Sequence, residues 1–343
     1  MDGVISNIRI SGIVTTVPKH VFDNEKYVNE INNRRMKKQV KLTGIRKRRV
    51  TKDGQDAADL ATVAAEQVLK KIGWQPDEVD IMIFVTQSDY LQRPSSAFVI
   101  QHRLGLKKEC MVFDINQGCA GYVVGLITVA SLLRQVKGKA LLLVGESNAV
   151  ENDNVSGDDL LTGDAASATA IEYCEKVNNC IVYKNYCDGS RANLLYMNHQ
   201  KRGFMDGNAI LLFGLTDVAT LVREFIHENC IDEENIDFYA FHQAQKMIVD
   251  GIAQEAQIDN EKVLYSSDDY GNTSSASIPL TLCKSKEDQD ILGVQKILMC
   301  GYGIGLTWGV VYTEVDYDKI YPIIETDYIF DDRDKFNIKA TDK

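Results

Sequence analysis

The chain has 343 residues, 45% of them hydrophobic, and a formal net charge of −11. That length suits two ordinary domains with packed cores, and the acidic balance argues against general nucleic-acid binding. The longest apolar stretch, Val123 to Leu133, ends at Arg134 and falls short of the roughly 20 residues of a membrane span. The first residues lack the charged-then-apolar pattern of a signal peptide, so a cytoplasmic protein is expected. The eight cysteines read as free thiols, because a cytosolic chain of this size seldom carries disulfides. Cys174, Cys180 and Cys187 are evenly spaced, but no C-x-x-C pair accompanies them, and no metal site is read from them.

The first unusual segment holds Arg34, Arg35, Lys37, Lys38, Lys41, Arg46, Lys47, Arg48, Arg49 and Lys52 with no intervening acid. It is either a solvated basic loop or a landing site for a phosphate-bearing or acidic partner. Val79 to Gln87 then reads as a buried strand. Met111-Val-Phe113 is a second strand-like run, ending at Asp114-Ile-Asn116. Gly118-Cys119-Ala-Gly121 opens an apolar helix reaching about Gln135. Cys119 is thereby expected at a helix N-terminus, where partial positive charge and free N–H groups favour a thiolate.

In the second half, Ile236 to Phe241 is another Asp-containing apolar strand, and His242 follows it at the start of a helical pattern. Tyr270-Gly-Asn272-Thr-Ser-Ser-Ala-Ser-Ile-Pro279 is loop chemistry leading into a small-residue helix. Alone, His242 reads equally as a satisfied core histidine and Asn272 as a turn residue. The halves echo one another. Each has a buried strand, a small-residue helix start, and a glycine-containing motif before a last apolar strand, Ala168 to Ile171 and Trp308 to Tyr312. Alternating strands and helices predict mostly parallel sheets covered by helices. Two halves face to face give an α/β protein of five layers, αβαβα, with a ligand site where they meet. The expected divisions are 1–175 with the nucleophilic Cys, 176–315 with the His and Asn, and 316–343. The last is an acidic tail whose Tyr317, Tyr321, Tyr328, Phe330 and Phe336 are too many aromatics for a disordered segment. It is expected to pack on the body or on a partner subunit.

Asp114-Ile-Asn-Gln-Gly-Cys119-Ala-Gly-Tyr122, Phe241-His242-Gln-Ala-Gln245 and Tyr270 to Pro279 together resemble the Cys-His-Asn site of the beta-ketoacyl-acyl-carrier-protein synthase III family, of thiolase fold. Thr43-Gly-Ile-Arg46-Lys-Arg48, Thr162-Gly-Asp164-Ala-Ala-Ser-Ala168, Met205-Asp-Gly-Asn208-Ala209 and Gly301 to Gly309 resemble its other motifs, from about residue 5 to 315. The resemblance implies a thiolase-like fold, a homodimer, and catalytic roles for Cys119, His242 and Asn272. The oxyanion hole would come from the N–H of Cys119 and one from the Gly303–Ile304 region. Arg46, Arg48, Arg93, Asn208, Gln243 and Lys246 would serve substrate or carrier binding. Acyl carrier protein or coenzyme A thioesters would be the substrates, with no metal or redox cofactor.

The implied reaction transfers an acyl group to Cys119, then joins it to a malonyl thioester with loss of carbon dioxide, giving a beta-ketoacyl thioester for fatty-acid initiation or a specialised acyl pathway. An Asn in the third place resembles the initiating and chalcone-synthase branches, since elongating synthases use a second histidine. No glutamate base of the hydroxymethylglutaryl-synthase kind is identified. Other readings are an acyltransferase of the same fold with an oxygen or nitrogen acceptor, and a non-catalytic partner subunit. The departures concern the substrate. The family's adenine-sandwiching Trp and Arg fall near Lys38 and Leu42, a further Arg near Ser156, the carrier-docking Arg at Met247, and an acyl-pocket aromatic at Arg93. They favour a dedicated carrier or an unusual primer.

Overall fold

The computed structural model describes residues 1–88, 91, 93–151, 155–176, 179–198 and 203–332. Eleven strands make two large sheets. In chain order they are β1 (Asp2–Ser6), β2 (Ile8–Pro18), β3 (Ile81–Val85), β4 (Met111–Ile115), β5 (Lys139–Glu146), β6 (Ala165–Tyr173), β7 (Cys180–Cys187), β8 (Phe238–Phe241), β9 (Val294–Gly303), β10 (Thr307–Asp316) and β11 (Ile324–Thr326). The first sheet runs β11-β2-β6-β5-β3-β4, the second β1-β7-β10-β9-β8.

The duplication is explicit in the pairing. In the first half β3 lies parallel to both β4 and β5, while β6 is antiparallel to β5 and β2. In the second, β8 is parallel to β9, and β10 is antiparallel to β9 and β7. Even the counterpart of β4 survives, as a parallel bridge from Tyr239 to Val263. The sheets are therefore mixed rather than mostly parallel. In the second sheet the reason is local: three residues, Ile304 to Leu306, join β9 to β10, and so short a connection can only make a hairpin.

Strand β3 is apolar at every position because both its faces are covered. Along β3, Ile81, Ile83 and Val85 point into one core while Met82 and Phe84 point into another. Along β9, Ile297 and Met299 face the first core and Leu298 and Cys300 a third. The shared core lies between the sheets around helices Gly121–Val136 and Ser277–Gln289. Helices Ala57–Ile72 and Ser96–Leu104 cover the outer face of the first sheet, Ala219–Glu228 and Lys246–Ala256 that of the second. The result is five layers, αβαβα. No helix among the described residues is long and apolar enough to cross a membrane.

The division at 175 is corrected at both chain ends. The N-terminal strand β1 pairs with β7, so residues 2–6 belong to the second half's sheet. The strand β11 pairs with β2, so part of the tail belongs to the first. The tail packs on the body as far as Asp332; Phe336 lies outside the described residues. Tyr317 is buried. The Arg103 guanidinium donates twice to Asp332 at 2.7 Å, lies 3.2 Å from Asp59, and stacks 4.6 Å from the Phe330 ring centroid. Burial opposes the charge of Arg103, yet the bond to Asp332 and the field of Asp59 outweigh it and raise its pKa.

Removing the cation from that buried cluster strands the Asp59 carboxylate. Arg103→Met is expected to lower stability by about 3–5 kcal/mol in urea denaturation, because an uncompensated buried charge remains. Arg103→Met with Asp59→Asn should recover part of the loss. An unchanged midpoint for the single variant would contradict this reading of the tail.

Candidate active site

The turn Asn116 to Ala120 leaves the end of β4 and enters helix Gly121–Val136, so Cys119 lies just ahead of the helix start. The helix fits there because Gly121 has no side chain: a Cβ would meet Val85 Cγ1 at 2.6 Å. Across the seam, the β9–β10 hairpin comes down on the cysteine. Gly303 has φ +155°, and a Cβ on it would lie 2.6 Å from Cys119 Cβ and 3.0 Å from Sγ. Only glycine allows this approach. It brings the N–H of Ile304 into hydrogen bonding with the Cys119 sulfur, alongside the N–H of Cys119 itself.

His242 follows β8 and is buried. Its N–H donates to Cys300 O at 2.8 Å, and its carbonyl accepts from the Tyr302 hydroxyl at 3.1 Å. Its ring meets Tyr302 edge-on at 5.3 Å, and Nδ1 lies 2.8 Å from Ser277 Oγ. Burial pushes the imidazole pKa down to about 3, against a hydrogen bond with the Ser274 backbone that pulls it up. The ring is therefore neutral across the physiological range.

Asn272 is held by its backbone across the seam. Its N–H donates to Leu161 O at 2.7 Å, and its carbonyl accepts from Gly163 N at 3.1 Å. Its Oδ1 accepts from the Ser274 N–H at 2.9 Å, which turns the amide nitrogen away from that bond. Ser274 thus touches all three residues: its Oγ lies 4.0 Å from Cys119 Sγ and its backbone bonds both Asn272 and His242. It takes φ +50°, uncommon for a residue with a side chain. Sequence reading quoted Ser274 within its motif but gave it no role, because its importance is its backbone position. Tyr302 was missed likewise.

One expectation about the nucleophile is corrected. The helix start is where the sequence places it, but burial pushes the Cys119 thiol above its ordinary range, against the hydrogen bonds from Ser274 and the two N–H groups. The resting group is a thiol.

Two of the binding residues are corrected outright. Arg48 is fully buried. It donates to Asn24 Oδ1 and Val150 O and lies 4.2 Å over the Phe22 ring, so it holds the fold together. Gln243 is buried too, donating to Phe241 O and Leu264 O and accepting from Ser266 N. Arg46 and Lys246 do line clefts. Arg46 pairs with Asp268 and Asp269 at the edge of a cleft of about 550 Å³ shared with Lys37, Lys41 and Glu25. Lys246 pairs with Asp250 in a second cleft of about 540 Å³ with Lys41, Leu42, Leu211 and Met247. Asn208 is exposed on the first turn of helix Gly207–Phe213, and Arg93 is exposed ahead of helix Ser96–Leu104. Among the described residues no contact joins either to the trio. Of the other divergent positions, Lys38 and Ser156 are exposed. No His, Cys, Asp or Glu cluster among the described residues is arranged to hold a metal.

Comparison with known proteins agrees with this geometry. A family model described as 3-oxoacyl-[acyl-carrier-protein (ACP)] synthase III matches residues 113–189, and its C-terminal counterpart matches residues 226–315. The beta-ketoacyl-[acyl-carrier-protein] synthase III of Streptococcus uberis is 30% identical over 328 residues, covering 90% of this chain and 99% of that protein. The synthase III of Listeria monocytogenes is 28% identical over 310 residues, covering 89% and 98%. The crystal structure of a 3-oxoacyl-(acyl-carrier protein) synthase from Burkholderia xenovorans superposes with a TM-score of 0.89 at 30% identity, covering 95% of this chain and 99% of that one. On these grounds the chain belongs to the beta-ketoacyl-acyl-carrier-protein synthase III family of condensing enzymes.

Proposed function

We propose that the chain catalyses a decarboxylative Claisen condensation on Cys119. The observation that carries this is the convergence of a thiol, a neutral imidazole and a carboxamide on Ser274, at the seam of the two halves. In the first step the Cys119 sulfur bonds to the acyl carbon, the donor thioester C–S bond breaks, and the thiol proton leaves with the departing carrier thiol. The N–H groups of Cys119 and Ile304, already directed at the sulfur, stabilise the oxyanion that forms beside it.

In the second step a malonyl thioester places its carbonyl oxygen between His242 and Asn272. Nδ1 lies 2.8 Å from Ser277 Oγ, and the role uses the tautomer in which that hydroxyl donates to Nδ1 and the ring proton sits on Nε2, from which it donates to the malonyl carbonyl. The Asn272 Nδ2 donates beside it. The malonyl carboxyl leaves as carbon dioxide, the enolate carbon attacks the acyl-Cys, and the Cys119 sulfur departs to take up a proton. Neutrality of His242 suits this role, because the ring has to donate without losing a full charge. No metal or redox cofactor enters the sequence, and the enzyme class is an acyltransferase acting in the cytoplasm.

The thioesters are delivered by an acidic carrier protein rather than by free coenzyme A. Helix Arg34–Thr43 carries five cations and no acid, in a chain that is acidic overall. Lys41 borders both clefts, and Lys246 borders the second. At Lys38 no aromatic ring is available to stack on an adenine. A homodimer is supported by β4, a sheet edge with exposed Met111, and by exposed Phe98 on the helix that packs against that strand.

Separating the half-reactions tests the assignment. His242→Ala and Asn272→Ala are expected to lower carbon dioxide release from a malonyl thioester by about 100-fold or more, while Cys119 still takes up an acyl group at near the normal rate. Loss of both half-reactions together would contradict the division of labour. The pH dependence adds a second test. Because the His242 ring protonates only near pH 3, carbon dioxide release by pre-acylated enzyme should show no acid limb near pH 6.5, and such a limb, abolished in His242→Gln, would refute the neutral-donor role. Finally, Lys41→Glu with Lys246→Glu should raise KM for a carrier-bound thioester by about five- to tenfold. KM for an uncharged N-acetylcysteamine thioester should stay within about twofold. Equal effects on both would mean that these cations shape the cleft rather than receive an anionic carrier.

A further inference from the structure

One buried acid beside the nucleophile has no part in the mechanism above. Glu146 ends β5 and its side chain is buried. Its Oε1 accepts from Gln87 N at 3.0 Å, and its Oε2 accepts from Ser88 Oγ at 2.7 Å and from Asn148 Nδ2 at 3.1 Å. Gln87 and Ser88 form the turn that leaves β3. From that turn the Gln87 side chain crosses to the nucleophile: its Nε2 donates to Asn116 Oδ1 at 3.0 Å, and its Oε1 lies 2.5 Å from where a Cβ on Gly118 would stand. Asn116 and Gly118 are the residues three and one before Cys119. Ser88 Oγ also accepts from Ser147 N at 3.0 Å, so the turn is tied to both sides of the carboxyl.

We propose that Glu146 is a positioning residue for the nucleophile: its carboxyl clamps the Gln87–Ser88 turn, and Gln87 braces the residues that aim Cys119. The inference rests on Cys119 being the reactive thiol, but not on which thioester acylates it. The arrangement also has an electrostatic side. Burial pushes the Glu146 carboxyl up to about 8, against its hydrogen bonds and helped by the charge of Cys119. A neutral acid at this place leaves the sulfur free to become anionic, whereas a carboxylate there opposes it. Two acids on neighbouring elements are engaged elsewhere. Asp164, ahead of β6, accepts from the N–H groups of Thr51 and Ala149. Asp114, on β4, accepts from those of Ser96 and Ala97.

The test reads the Cys119 peptide by mass spectrometry after timed iodoacetamide labelling of the full-length protein between pH 6 and 10. In wild type the labelling rate should rise with pH and flatten near pH 8, as Glu146 takes on charge. In Glu146→Gln, which keeps the shape and the acceptor for Gln87 N but has no proton to lose, the flattening should vanish and leave a single thiol titration. Glu146→Ala, which releases the turn, should lower kcat for condensation by about 10- to 100-fold, with KM changed by less than twofold. Should Glu146→Ala fail to fold, Gln87→Ala, which removes the brace and leaves the carboxyl in place, decides the positioning role. An unchanged Cys119 labelling rate in Glu146→Ala and in Gln87→Ala would overturn that role, and superimposable profiles for wild type and Glu146→Gln would overturn its electrostatic side. Because labelling needs no thioester, that failure is distinguishable from a wrong assignment of the reaction.

Discussion

Two helices whose N-terminal turns are buried organise this molecule. Gly121–Val136 and Ser277–Gln289 lie between two sheets, pack against strands of both halves, and are exposed only towards their C-terminal ends. A helix so placed cannot slide or rotate without opening a cavity on one face or the other. Its N-terminal end is therefore held firmly relative to both sheets, and each of these helices has its start at the seam. Cys119 precedes one start, and Asn272 and Ser274 precede the other. The duplicated topology thus places chemically different residues at equivalent positions and turns them towards a common point.

Backbone groups do most of the aiming. Asn272 is fixed by two main-chain bonds to the first half, and Ile304 reaches Cys119 because Gly303 has no side chain. His242 is held at both its N–H and its carbonyl, by Cys300 and Tyr302. Such fixation matters where reacting atoms have to meet within a few tenths of an ångström. Burial then sets the charge state: it keeps the imidazole neutral and, before substrate arrives, the cysteine a thiol. A polar cluster with little net charge suits a site that receives an anionic malonyl group and discharges it as neutral carbon dioxide.

Much of this was legible in the sequence, and the rest was hidden for identifiable reasons. The helix start at Cys119, the strand before His242 and the repeated order of elements follow from short-range apolar patterning. Five layers followed from the alternation of strands and helices in two repeated halves set face to face. The mixed strand directions were not legible: in the second sheet they depend on a hairpin, Ile304 to Leu306, in a segment that reads only as a glycine-rich loop. The crossing of β1 and β11 into the opposite halves was hidden by their shortness. Arg48 and Gln243 misled because a charged or amide side chain in a motif reads as a binding group, whereas burial is a tertiary property: both are spent on main-chain carbonyls. Ser274 and Glu146 carried no signal, because their effect comes through residues distant in the chain.

The central claim is that Cys119 accepts an acyl group at this seam. Intact mass after mixing the protein with a panel of acyl-carrier and acyl-coenzyme A thioesters tests it most directly. The account predicts one acyl mass added to wild type, absent in Cys119→Ala and still present in Asn272→Ala. An adduct that persists in Cys119→Ala, or none from any donor in the panel, would contradict it.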